Sequence, residues 1–262
     1  MLRFKSLGSG SAGNATLVEA RSSTEVSRVL IDCGLSISEL SSRLGELSLT
    51  LTDIDAMFVT HEHTDHVGNA RQFALKSKRP IWMSQGTQLA TQALGWGLQP
   101  TQIQTARDHQ VIEVGVLQIT PFTVPHDARE PLQVTLTDGT FKLGLATDLG
   151  HASAHVIKAL QDCHALILES NHDSDLLRMS KYPSFLKSRI SGPLGHLSNR
   201  ESAELLRHLL NPNLRQVVAA HLSERNNTPQ LVIDALCPVM GCEPDDLIIA
   251  HAEHGSPWIT LE

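Results

Sequence analysis

Ala56-Met57-Phe58-Val59-Thr60-His61-Glu62-His63-Thr64-Asp65-His66 joins an apolar run of buried-strand character to three histidines and an aspartate. A strand delivers the residue that follows it to a fixed place at the sheet edge, where rigid scaffolds commonly seat reactive groups. His61 and His63 are two apart, so on an extended segment they point to the same side and can grip one metal ion. That spacing does not suit one helical face, which separates it from the helical His-Glu-x-x-His zinc motif. Asp65 and His66 fall on the turn into the next element, so their side chains leave in another direction and suit a second metal nearby. Each residue alone has a plainer reading: a lone strand-end histidine is more often structural, and Asp65 could cap a helix beginning near Val67. Three histidines and one aspartate within six positions are more than capping and packing explain.

The same form recurs further along. The run 141–146 delivers Asp148, 217–220 delivers His221, and 117–124 delivers His126. Short apolar runs alternate with helical patterns throughout, which predicts an α/β protein. Strands are expected at 28–32, 81–83, 165–169, 216–220 and 247–250, and two more in 111–122, joined at Gly115. Asp138-Gly139 predicts a hairpin between 132–137 and 141–146. Helices are expected at 38–44, 67–76, 87–94, 153–160 with Ser153 as cap, and 199–210. No linker, repeat or low-complexity tract divides the chain, which reads as one domain, 1–262.

Composition narrows the classes. With 262 residues, 41% hydrophobic, the chain can bury a sizeable core. No apolar run reaches the ~18 residues of a membrane helix, and the N-terminus has no stretch of signal-peptide length. The expectation is a soluble cytoplasmic protein with no membrane partner. Cys33, Cys163, Cys237 and Cys242 form no Cys-x-x-Cys pair and read as small core residues in a reducing compartment. A formal net charge of −7 argues against nucleic-acid binding by a broad basic surface, so a phosphate-rich substrate needs local positive charge. Fourteen histidines against one tyrosine direct attention to metal binding, since His is the commonest metal ligand.

Thr60-His61-Glu62-His63-Thr64-Asp65-His66 resembles the Thr-His-x-His-x-Asp-His signature of the metallo-β-lactamase fold hydrolases. Nearly the whole chain follows that family's order, through Ile31-Asp32-Cys33-Gly34, Val124-Pro125-His126-Asp127-Ala128, Ala146-Thr147-Asp148 and Ala220-His221-Leu222-Ser223. Within it the chain is similar to the YycJ/WalJ-like bacterial hydrolases. Ser9-Gly10-Ser11-Ala12-Gly13-Asn14, Leu168-Glu169-Ser170-Asn171-His172-Asp173 and Gly195-His196-Leu197-Ser198-Asn199 carry that closer likeness, with His221-Leu222-Ser223-Glu224-Arg225-Asn226-Asn227. The resemblance implies an αββα four-layer sandwich: two mixed sheets face to face, helices on the outer faces, metals at one edge. It implies that His61, His63 and His126 hold one metal, that Asp65, His66 and His221 hold a second, and that Asp148 bridges both. Many true β-lactamases of this fold carry Cys at that last point. Asp148 therefore argues against antibiotic hydrolysis and for the phosphodiesterase and thioesterase branches. The motifs at His126, His196 and His221 resemble the nuclease side, including ribonuclease Z, more than glyoxalase II.

The implied cofactor is two divalent metal ions, zinc first, with manganese or iron as alternatives. Two such ions outweigh Asp65, Asp148 and a bridging hydroxide by about one unit of charge, a positive focus within an acidic chain. The expected reaction is hydrolysis of a phosphodiester, DNA first and by an exonuclease, through hydroxide held between the metals. A lactonase, thioesterase or cyclic phosphodiesterase on the same site is the alternative, because fold does not separate them. Asp65 and His196 are the candidate catalytic residues. His196 is assigned to the scissile phosphate or the leaving group, against a plain capping role near Asn199. Candidate substrate contacts are Asn14, in a Gly/Ser-rich turn without a P-loop lysine, and His172, which follows a strand. Arg178 and Lys181 join them. With Lys187, Arg189 and Arg200 these flank His196 and form either a basic rim or a solvated face. Tyr182 and Phe185 in that stretch are suited to stacking or to packing. The oligomeric state is not legible.

Overall fold

In the computed structural model, which describes residues 1–98 and 102–262, the apolar runs become strands of two sheets. Among the described residues these are β1 (Leu2–Gly8), β2 (Ala15–Arg21), β3 (Val26–Ile31), β4 (Ala56–Phe58), β5 (Ile81–Met83), β6 (Ile103–Thr105), β7 (Ile112–Val114), β8 (Leu117–Thr123), β9 (Leu132–Thr137), β10 (Lys142–Ala146), β11 (Ala165–Glu169), β12 (Gln216–Ala220), β13 (Ile248–Ile249) and β14 (Ile259–Leu261). One sheet runs β14-β1-β2-β3-β4-β5-β6 and the other β13-β12-β11-β10-β9-β8-β7. Each is mixed. In the first, β1 to β3 pair antiparallel and β3 to β6 parallel. In the second, β7 to β10 pair antiparallel and β10 to β13 parallel.

Successive side chains of a strand face opposite ways, and here both ways lead into protein. In β12, Val218 and Ala220 turn inward between the sheets, whereas Val217 and Ala219 face the helices outside. In the first sheet Val29, Ile31 and Phe58 turn inward, while Leu30 and Met57 face outward. That double burial is why these strands read as unbroken apolar runs. Helices α1 (Ile37–Glu46) and α3 (Ala70–Ser77) cover the first sheet with Leu40, Leu44 and Phe73. Helices α5 (Ala154–Leu160), α8 (Asn199–Leu209) and α9 (Pro229–Met240) cover the second with Leu160, Leu206 and Leu236. Four layers result, as the resemblance implied. No helix among the described residues is long and apolar enough to cross a membrane.

Ser153 caps α5, its side chain accepting from the Val156 amide, and the Asp138-Gly139 hairpin forms with Asp138 Oδ1 accepting from the Thr140 and Phe141 amides. The expected helix at 67–76 is instead two pieces, α2 (Thr64–Val67) and α3. The break has a cause: the Asn69 amide donates to Cys33 O rather than along a helix. A Cβ on Gly68 would also stand 2.6 Å from Thr64 O. Seven elements had no clear signal in the sequence: β1, β2, β6, β14, α6 (Ser174–Met179), α7 (Ser184–Ile190) and α9. Helix α4 (Gln85–Ala93) falls where one was expected, extended by two residues at its start.

The fold positions the site by bringing parallel strand ends together. Asp32 follows β3, His61 lies beyond β4, Asp148 beyond β10, Glu169 ends β11, and His221 follows β12. Asp32 (φ 63°), Asp148 (φ 53°) and His221 (φ 57°) all adopt the left-handed backbone that non-glycine residues seldom take. The sharp turn there swings a side chain off its strand and across the edge, and such strain concentrates at functional sites.

A second device locks the metal-type loop. The Cys33 amide donates to His66 O and the Asn14 amide to Asp65 O, while Gly34 N donates to Asn14 O. Gly34 must be glycine for this approach, because a Cβ there would lie 1.9 Å from Asp65 O. Gly34→Ala is expected to push the 63–66 turn outward, costing about 1–3 kcal/mol of stability. A thermal melt and the metal content of the purified variant measure it, and unchanged values in both would refute the lock.

Candidate metal centre

Two groups of donors face each other at the common edge. The nearest donor atoms of His61, His63 and His126 lie within 4.8 Å of one another, as do those of Asp65, His66 and His221. His126 Nε2 stands 3.3 Å from His63 Nδ1. Asp65 Oδ2 is 3.4 Å from both His66 Nε2 and His221 Nε2. Asp148 stands between the groups, with Oδ1 3.7 Å from His126 Nε2 and Oδ2 2.9 Å from His66 Nε2. The structure therefore gathers all seven residues expected as ligands.

The outer ring nitrogens are already engaged. His66 Nδ1 is 2.7 Å from Asp32 Oδ2, His126 Nδ1 3.0 Å from Gly195 O, His63 Nε2 3.2 Å from Asp127 O, and His221 Nδ1 3.0 Å from Glu169 Oε1. A proton donated outward at each leaves the opposite nitrogen as a lone pair aimed at the centre, the arrangement metal-binding histidines adopt. His61 Nε2 and Asp148 Oδ2 are buried with no hydrogen-bond partner; Asp148 Oδ2 lies near His66 Nε2 but not aligned for a bond. Buried lone pairs turned toward one another are costly unless a cation lies among them. Imidazole and carboxylate donors suit divalent ions of the zinc or manganese type. The residues fit a metal.

Electrostatics agree. Burial opposes the charge on Asp148, but His221 and His66 outweigh it and hold the carboxyl well below its usual range. Burial likewise opposes charge on Asp65, and His66 and His221 prevail, lowering it. Burial, with His66 close by, drives His61 well below its ordinary value, and burial lowers His126. Burial also disfavours the imidazolium of His66 and His221, yet Asp148 and the carboxylates behind them win. His66 is raised well above its ordinary value and His221 to about 10.

Glu169 is the residue that sequence reasoning missed. It lies in the segment 168–173, where the sequence pattern alone points to no chemical role. Its side chain is fully buried and accepts from the Asp148, Leu149 and Leu197 amides at 3.2, 2.9 and 3.0 Å. It also meets His196 Nδ1 at 2.8 Å and His221 Nδ1 at 3.0 Å. Burial raises its pKa, but His196 and His221 outweigh that and lower it to about 2. The available signal was the strand-end rule itself, since Glu169 closes an otherwise apolar strand. Asp32 plays the matching part in the first sheet. It accepts from Thr60 N at 2.8 Å and Thr60 Oγ1 at 3.0 Å while holding His66.

A cavity of about 460 Å³ opens over the centre, with Asp65, Asp148, His196 and His221 on its floor side. The expected substrate contacts are placed elsewhere. Asn14 is buried behind the donor residues, its Nδ2 3.1 Å from His66 Nε2. His172 is buried with Nδ1 unpartnered. Arg178 pairs with Asp175 in solvent at 2.9 Å, and Lys181 is exposed; none of these four lines the cavity. Arg189 and Tyr182 of the same stretch do line it, and Phe185 is 74% exposed.

Removing the charge of Glu169 while keeping its shape should loosen His221. Glu169→Gln is expected to weaken metal binding about 10- to 100-fold, checked by titration with a competing chelator. Metal uptake should also release protons. His221, raised to about 10, carries a second proton at neutral pH when no metal is bound and must lose the inner one to become a ligand, and His66 is shifted in the same direction. Titration calorimetry in buffers of different ionisation enthalpy should show net proton release, with affinity rising as pH rises. A buffer-independent heat would contradict this.

Residues 27–222 match the family model described as the Beta-lactamase superfamily domain. The exodeoxyribonuclease YycJ of Bacillus anthracis is 31% identical over 230 residues, 88% of this chain and 86% of its own length. The exodeoxyribonuclease WalJ of Streptococcus pneumoniae serotype 2 is 30% identical over 235 residues, covering 87% and 84%. Among solved structures, the metallo-beta-lactamase fold protein YhfI from Bacillus subtilis aligns over 98% of each chain. Its TM-score is 0.72 at 17% identity, a likeness of fold. Family match, sheet architecture and donor set agree, and the chain belongs to the beta-lactamase superfamily and is a metal-dependent hydrolase.

Proposed function

We propose that the protein is a two-metal phosphodiesterase that degrades DNA as an exonuclease. The observation that carries the reading is Asp148, a buried carboxylate 3.7 Å from His126 of one donor group and 2.9 Å from His66 of the other. In this reading His61, His63 and His126 hold one ion, Asp65, His66 and His221 the other, and Asp148 both. Five imidazoles and two carboxylates favour zinc, and manganese or iron suit the same atoms. Bound there, two divalent ions supply hydroxide at neutral pH and offset the negative charge gathering on a phosphodiester.

The chain's own residues do the rest. Asp32 and Glu169 orient His66 and His221 from behind. His196 lines the cavity with Nδ1 held by Glu169, which leaves Nε2 free to donate to the scissile phosphate or the leaving oxygen. The capping box of α8, Ser198 with Glu201, fixes the backbone two residues after His196 and so steadies the ring. Exodeoxyribonuclease relatives that cover most of the chain support DNA as the substrate. With DNA as substrate and four unpaired cysteines, the reading includes a cytoplasmic location.

The test is a substrate panel on the metal-loaded protein: single- and double-stranded DNA, RNA, small phosphodiesters, a lactone and a thioester. DNA cleavage from an end is expected, abolished by chelator and by Asp65→Ala. Activity on lactones or thioesters alone would overturn the reading. His196→Ala should lower kcat about 10²- to 10⁴-fold with metals still bound; unchanged turnover would remove His196 from the reaction.

A further inference from the structure

The cavity has two unlike walls. One is polar and close to the second donor group, built from Ser11, Asn171 and Ser223. The other is one face of α7. Leu186, Arg189 and Ile190 are spaced i, i+3 and i+4, so they share that face, and Tyr182 adjoins it from the preceding turn. Tyr182 is the chain's single tyrosine, and no aromatic ring among the described residues stacks on it. Arg189 ties this wall to the loop between β8 and β9, its Nε 2.6 Å from Asp127 Oδ2, next to His126.

Resting on the nuclease reading, we propose that Tyr182, with Leu186 and Ile190, forms the stacking subsite for the base of the terminal nucleotide. A nucleotide is itself two-sided. Its base is flat and apolar on its faces, and its sugar and phosphate are polar. The α7 wall matches the first half and the Ser11, Asn171 and Ser223 wall the second, with the phosphate directed to the centre between them. The cavity, about 460 Å³, has room for one nucleotide over the centre. The chain's acidity is consistent with this, because stacking on an aromatic ring does not need the long basic track that internal binding uses. Every base has a stacking face, so the subsite selects for the presence of a base and is tolerant of its identity.

The experiment uses the full chain with metals bound and a single-stranded DNA whose terminal residues are ordinary or abasic. The wild type should show a KM about tenfold lower for the ordinary end, the scale of one base stacked on one ring. Tyr182→Phe should keep that preference. Tyr182→Ala should lose it, the change falling on KM more than kcat. A terminal 2-aminopurine gives a readout independent of turnover. Its emission should be quenched on binding to the chelator-treated wild type and restored with Tyr182→Ala. Cleavage of DNA with the abasic penalty and quenching intact in Tyr182→Ala would overturn the subsite alone. No cleavage of DNA by the metal-loaded wild type would overturn the nuclease reading and the subsite with it.

Discussion

Asp148 and Glu169 are two carboxylates held almost without exposure at the edge where the sheets meet. Taking a carboxylate out of water costs several kcal/mol even after relaxation, and two near each other add mutual repulsion. The surroundings answer that cost residue by residue. Glu169 receives three backbone amides and two imidazoles. Asp148 receives fewer partners, and its Oδ2 has no hydrogen bond. One carboxylate is thus hydrogen-bonded throughout by protein, and the other keeps one oxygen free. That asymmetry separates the residue that would hold metal from the residue that holds the metal's ligands.

The backbone carries part of the same arrangement. Three residues that leave a strand at the site, Asp32, Asp148 and His221, turn through the left-handed region. Such a turn is tolerated because strands on either side are pinned in a sheet and sandwiched between apolar layers. The amides of Asn14 and Cys33 clamp the 63–66 turn from the far side, which holds its donor side chains in place. Rigid sheets beneath and a clamped turn above supply the positional accuracy that a metal site requires.

The wall opposite the clamp is of another kind. Helices α6 and α7 expose Met179 and Phe185 to solvent while turning Leu186 and Ile190 to the cavity. The metal centre comes from strand ends and the cavity's shape from short helices. The first is bound by sheet geometry, and the second can vary without disturbing it, which is how one centre serves different substrates.

Much of the site was legible because it rests on local periodicity. An apolar run followed by His61, Asp148 or His221 places that residue at a strand end whatever the rest of the chain does. By itself the sequence determined the alternation of strands and helices, the types of the donors and their order. Glu169 obeyed the same rule, yet its part as a hub depends on partners 20 to 52 residues away. The basic stretch misled for a related reason. Sequence proximity to His196 does not say which side of a helix a residue takes, so Arg178 and Lys181 face solvent while Arg189 and Tyr182 reach the cavity. Only the tertiary structure decided which nitrogen of each ring faces inward, which carboxylate oxygen lacks a hydrogen bond, and which side chains line the cavity. Those are contacts between distant segments, such as His221 with Asp65 across 156 residues, and no local pattern encodes them.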